Sequence, residues 1–220
     1  MADLVQNNES DESILVLGIG NILFADEGFG VRAVQALHSR WSFPDRVILM
    51  DGGTQGFNLL THVQAATRMI VFDAIDYGLP PGTLKVLTND QVPRFMGSKK
   101  LSLHQTGFQD VLGVAELTGH LPSELILIGV QPEELDDFGG SIRPVVKAQI
   151  QPALEIALDY LLRWGCQPKA RDGGLETAAY LLPESLDMEA YESGGAYVTG
   201  RARRAVPVQD GAIPPPIQAS

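Results

Sequence analysis

Residues Leu15 to Gly30 read LVLGIGNILFADEGFG, and how this stretch is understood decides the fold. A short apolar strand runs into Gly18-Ile19-Gly20, and an apolar pattern of helical spacing follows. This could open a nucleotide-binding domain, yet a dinucleotide fingerprint needs a third glycine where Leu23 stands. The helix also starts several residues late, so its amino end would not face a pyrophosphate. Asp26 and Glu27 would repel phosphates there. One feature favours a nucleotide: Asp51 ends the second strand, where a ribose-binding acid belongs. A nucleotide-binding α/β protein therefore stands as an alternative reading.

Working outward, Ile14–Leu17, Val47–Met50, Met69–Phe72 and Leu125–Val130 are continuous apolar runs, the pattern of strands buried on both faces. Helical spacing covers Glu27 to Ser39, with Asp26 as its expected N-cap, and recurs over Phe57–Ala66 and Gln105–Thr118. Val145–Trp164 reads as a long amphipathic helix, with a kink or restart expected at Pro152. Pro80-Pro81-Gly82 is a turn leading into Thr83–Leu87, which alternates like a half-exposed edge strand.

Strands alternating with helices through short Gly- and Asp-rich loops predict a three-layer α/β fold. Its mainly parallel twisted sheet has helices on both faces. Binding crevices in such sheets lie beyond the carboxyl ends of the strands, which puts the Gly18 loop, Asp51 and Asp73 on one rim.

The 220 residues suit one domain, expected over residues 14–165 after a flexible N-terminus at 1–13. After Gly165 the composition changes and the chain ends in VPVQDGAIPPPIQAS, so residues 166–220 are expected to be a flexible tail. A segment that orders on a partner is the rival reading, with a short helix possible over Leu175–Tyr191. A net charge of −11 argues against nucleic-acid or anionic-lipid binding. The polar start MADLVQNNESDES has no signal-peptide core, no apolar run reaches the ~20 residues a bilayer span needs, and Cys166 has no partner. These observations predict a cytoplasmic protein.

Other enzyme signatures are missing. There is no Gly-Lys-Ser/Thr of a P-loop, no Gly-x-Ser-x-Gly elbow and no His-Glu-x-x-His. What remains is strand-end carboxylates and four histidines: His38, His62, His104 and His120.

Four motifs in order, LGIGNILFADEGFGVRAVQAL, DGGTQG, VFDAID and SLHQTGFQDVL, followed by LIGVQPEEL, lie between Leu17 and Leu135, within a match that covers roughly Ile14 to Trp164. In these the chain resembles the hydrogenase maturation endopeptidases, and most of all those serving membrane-bound uptake hydrogenases. The resemblance implies a hydrolase that removes the C-terminal extension of the precursor large subunit of a nickel–iron hydrogenase. It also implies that Glu27, Asp73 and His104 contact a divalent metal. That metal is nickel contributed by the substrate, though zinc or cadmium also suits two carboxylates and an imidazole.

Taken singly, each residue has a plain structural role available. Glu27 suits a helix amino end, worth a few tenths of a kcal/mol. Asp73 suits a loop cap, and His104 suits the start of a helix. Gly52 and Gly53 alone suit a tight turn. The resemblance implies that Asp51 is a recognition or catalytic residue and that Gly52, Gly53 and Thr54 line the substrate cleft. His38, His62 and His120 match no motif and are read as surface or structural; Asp76 is read as a turn residue. On this view the loop presents Glu27 to a metal. A nickel checkpoint or chaperone without proteolysis would use the same residues.

Overall fold

The apolar runs become the strands of one sheet. The computed structural model describes residues 12–92, 103–171, 181 and 188–193. Strands β1 (Ile14–Ile19), β3 (Val47–Gly53), β4 (Arg68–Ala74) and β6 (Glu124–Val130) are parallel. Strand β5 (Leu84–Thr88) closes one edge antiparallel to β6, giving the order β3-β1-β4-β6-β5. A two-residue strand, β2 (Trp41–Ser42), lies between the first helix and β3.

Alternate residues of each strand enter opposite core layers, as the two-residue period of a pleat requires. Ile14, Val16, Ile70, Phe72, Ile126 and Ile128 pack under α1 (Phe29–Arg40) and α5 (Ile150–Arg163). Leu15, Leu17, Met69, Val71, Leu125 and Leu127 pack under α2 (Leu60–Ala65) and α3 (Leu103–Leu117). Phe29, Phe72 and Phe108 are fully buried, each contributing about 1.5–3 kcal/mol relative to exposure. Among the described residues no helix is long and apolar enough to cross a membrane.

Two boundaries differ from the expectation. The first helix begins at Phe29, preceded by a 3-10 turn over Ala25–Gly28, and Asp26 makes no N-cap bond. The long helix is in two pieces: α4 (Pro144–Lys147), then α5, with Pro152 in its first turn, where a missing N–H costs nothing. The proline thus follows the restart.

The ends of the domain extend past the limits drawn from composition. Glu12 pairs with Arg68 at 3.1 Å, and the Ser13 carbonyl accepts from Thr67. Beyond residue 165, Cys166 is buried and β7 (Lys169–Ala170) pairs antiparallel with β2. Arg171 donates through Nε to the carbonyls of His38 and Trp41. Helix α6 (Met188–Ser193) folds back on the α1–α5 layer: Glu192 accepts from Lys147 and Ser141, and the Tyr191 ring lies 5.5 Å from the Arg32 guanidinium. Most of the helix anticipated over Leu175–Tyr191 lies outside the described residues.

Candidate functional site

At the carboxyl ends of β1, β3 and β4, three glycines allow the chain to fold tightly over its own strand ends. A Cβ on Gly18 would stand 2.3 Å from the Gly30 carbonyl oxygen. One on Gly30 would stand 2.2 Å from the carbonyl oxygens of both Ile19 and Phe72. Gly20 has φ +131°, and a Cβ there would meet the Glu27 carbonyl oxygen at 1.8 Å. These missing side chains are filled by backbone and leave no phosphate cradle. The first amides of α1 come nine residues after Gly20 (29 − 20 = 9), too late for the nucleotide reading.

The turn so packed presents Glu27. Its amide donates to Phe24 O at 2.9 Å and its carbonyl accepts from Asn21 at 3.1 Å, while the residue stays half-buried. Ala25, two residues before it, has φ +32°, a left-handed conformation that a side chain disfavours. Asp26 is fully buried and accepts three backbone amides. Oδ2 takes those of Glu133 at 2.8 Å and Glu134 at 2.9 Å, and Oδ1 that of Arg143 at 2.6 Å.

Asp73, only 1% exposed, is the penultimate residue of β4 and pairs with Gly129. The strand alternation that sends Phe72 toward α1 sends Asp73 to the α2–α3 face. Tyr77 lies on that face too, occupying the room that Gly129 leaves: a Cβ on Gly129 would stand 1.9 Å from the Tyr77 hydroxyl. Burial, with the Asp73 charge adding to it, holds that hydroxyl firmly protonated. His104 is in the first turn of α3, the helix covering this face; its side chain lies outside the described structure.

Asp51 pairs with Gly18 and takes the other face, toward Arg32 and Val31 of α1. It lines a pocket of about 120 Å³ with Gly20, Asn21, Ile22, Val31, Gly53 and Thr54. Burial raises its pKa above the ordinary carboxylate value, against the opposing pull of the Gly53 amide and the Arg32 guanidinium. Among the described residues its Oδ1 is buried without a hydrogen-bond partner. Gly52 packs against Leu17 and Ile19, Gly53 takes φ +44°, and Gly20 donates to the Gly53 carbonyl at 3.1 Å. Thr54 is exposed at the pocket mouth.

Asp51 and Asp73 thus share one rim but point to opposite faces, with the Glu27 turn between them packed against the end of β4. Among the described residues no three His, Cys, Asp or Glu side chains gather as a metal site. His38 is in the last turn of α1, away from the rim, and His62 and His120 are exposed. Asp76 accepts from the Gly78 amide at 2.9 Å, an Asx turn, and from Gln131 Nε2 at 3.0 Å. Gln131 Oε1 in turn accepts from the amides of Tyr77 at 2.7 Å and Leu79 at 3.1 Å, closing the loop after Asp73. Asp26, Tyr77 and Gln131 were not anticipated as site-building residues. The one available signal was polar residues immediately flanking the strand-end motifs.

The hydrogenase maturation protease family model matches residues 31–160. The chain belongs to the hydrogenase maturation protease family. It is 60% identical over 182 residues to the hydrogenase expression/formation protein HoxM of Azotobacter vinelandii, covering 83% of this chain and 86% of that protein. To the hydrogenase 2 maturation protease of Escherichia coli K12 it is 43% identical over 160 residues, covering 72% of this chain and 96% of that one. The solved structure of the hydrogenase maturating endopeptidase HybD from E. coli superposes with a TM-score of 0.69 at 42% identity, covering 72% of this chain and 98% of HybD. Family membership supports hydrolase activity on a peptide bond, and the parallel sheet flanked by helices agrees with the fold of these proteases.

Proposed function

We propose that this protease removes the C-terminal extension of the precursor large subunit of a nickel–iron hydrogenase after nickel insertion. Glu27, Asp73 and His104 touch the nickel that the substrate carries, and Asp51 serves the scissile peptide. The observation that carries the reading is the convergence of the Glu27 turn on the end of β4. There Asp73 faces the layer whose helix α3 starts with His104 in its first turn. Two carboxylates and an imidazole leave coordination positions for the substrate's own thiolates. A group that recognises bound nickel confines cleavage to loaded precursor.

The sheet geometry supports a division of labour. Gly18 pairs with Asp51 on one side and with Phe72 on the other, so Asp51 and Asp73 flank β1 at nearly one level. Their carboxylates point to opposite faces, but two strand spacings set their backbones about 10 Å apart, the reach of about three extended residues. In the family's Cys-x-x-Cys-x-x-His/Arg type of substrate ending, the same span separates the last nickel-bound cysteine from the cut. Asp51, with its raised pKa and a pocket of about 120 Å³ that has room for water, suits general-base work. It takes a proton from water as the oxygen attacks the carbonyl carbon. It returns that proton to the leaving nitrogen as the C–N bond breaks.

The test is the intact mass of nickel-loaded and nickel-free precursor after incubation with the protein. Loss of a C-terminal peptide from the loaded form alone is the expected result. Equal cleavage of both forms refutes nickel recognition, and co-elution without shortening favours a non-catalytic checkpoint.

A further inference from the structure

We infer that Asp26 is a positioning residue for processing: its carboxylate ties the turn bearing Glu27 to the 131–143 loop and so fixes where Glu27 meets the substrate's metal. The inference rests on the metal-contact role of Glu27 proposed above. Asp26 is fully buried, and its carboxylate accepts from three backbone amides of one distant loop, 107, 108 and 117 residues away. A buried carboxylate is costly unless its charge is satisfied, and three N–H donors at 2.6–2.9 Å are strong, charge-assisted partners. The junction continues along the chain. Asp26 N donates to Glu134 O at 3.1 Å, Gly139 N donates to Leu23 O at 2.6 Å, and the Phe24 and Phe138 rings meet edge to face at 5.2 Å.

The turn held this way is strained. Ala25 keeps φ +32° directly before Asp26, a conformation that persists only where the surroundings over-determine it. Releasing the clamp lets Ala25 relax to negative φ, and Glu27, two residues on, moves with it. The sequence disguises this role, because an aspartate ahead of an apolar helix reads as its N-cap, whereas Gly28 holds that position.

Two independent lesions test the clamp. Asp26→Asn keeps the shape but turns an amide donor toward amide donors. Arg143→Pro deletes one donor at a residue whose φ of −67° already suits proline. Arg143→Ala is its control, losing the same ion pair with Asp137 but keeping the amide. Cleavage of nickel-loaded precursor is measured by intact mass well below each variant's unfolding midpoint. Calorimetric titration of each variant with nickel ion alone runs beside it. A drop of about tenfold to a hundredfold in kcat/KM for Asp26→Asn and Arg143→Pro, with Arg143→Ala near wild type, is expected. Weakened nickel binding should accompany it. Cleavage by both folded clamp variants at the wild-type rate, while Glu27→Gln abolishes it, overturns the inference and leaves the metal reading intact. Wild-type cleavage by Glu27→Gln itself overturns both.

Discussion

Replacing Gly30 by alanine measures how tightly the α1 amino end sits on the strand ends. The added Cβ would lie 2.2 Å from two backbone oxygens, Ile19 O and Phe72 O. A carbon approaches a carbonyl oxygen to about 3.3 Å, so the helix start must retreat by roughly 1 Å. Both obstacles are main chain of buried central strands and cannot turn aside as a side chain would. Overpacking of this kind costs up to about 3 kcal/mol, against which the gain in helix propensity returns about 1 kcal/mol. The net loss of about 2 kcal/mol lowers the unfolding midpoint by roughly 4–8 °C in a domain of this size. Gly113 in α3 supplies the control, since a Cβ there meets nothing within 4 Å. Gly113→Ala should gain about 1 kcal/mol, or roughly 2–4 °C. Thermal unfolding followed by circular dichroism reads both. Shifts of the same sign, or Gly30→Ala as stable as wild type, would refute the close-packing account. Because Glu27 is three residues from Gly30, a 1 Å retreat should also cost about a hundredfold in precursor cleavage.

Glu27→Gln and Asp73→Asn should each abolish detectable processing of loaded precursor while leaving the far-ultraviolet spectrum intact; a retained rate in either excludes that carboxylate from metal contact. Asp51→Asn should lose activity yet raise the unfolding midpoint at pH 7. The raised folded pKa of Asp51 means that its stabilising contribution belongs to low pH and is lost as pH rises through that pKa. The gain should therefore shrink toward pH 4, and a pH-independent midpoint difference would contradict it. Lys147→Ala should cost no more than about 1 kcal/mol, since its pair with Glu192 is partly exposed. Burial works to raise the Glu192 pKa, but its bonds to Lys147 and Ser141 outweigh that and lower it. Its stabilisation is thus present above the usual carboxylate range and lost as pH falls through the folded value. Lys147→Ala should flatten that acid slope in urea unfolding, and an unchanged slope would deny the docking of α6.

The sheet was legible because ILVL, MIVF and LILIGV are unbroken apolar runs in strands buried on both faces. VILM is equally apolar but forms the edge strand β3, where Ile48 is exposed and Leu49 and Met50 are half-buried, so the expectation of burial on both faces fails there. The rim followed from the order of these runs. The opposition of Asp51 and Asp73 did not, because alternation along a strand fixes relative faces only, and absolute faces depend on which helices cover each side. Asp26 was misread because its partners stand more than a hundred residues away. Tyr77 was invisible because its place depends on the side chain that Gly129, on the adjacent strand, lacks. The two-residue strands β2 and β7 carry no periodic pattern at all, so the ordered stretch after Gly165 resembled the start of a tail.

Cys166 is the only cysteine in the chain and is 1% exposed, with burial raising its thiol pKa in spite of nearby Arg46. Thiolates outcompete carboxylates and imidazoles for a borderline metal, and a protonated, buried thiol does not enter that contest. Under the function proposed above, a protease that reads nickel without removing it would meet the substrate's thiolate cage with weaker ligands alone. On that reading the metal would stay with the product when the two proteins part.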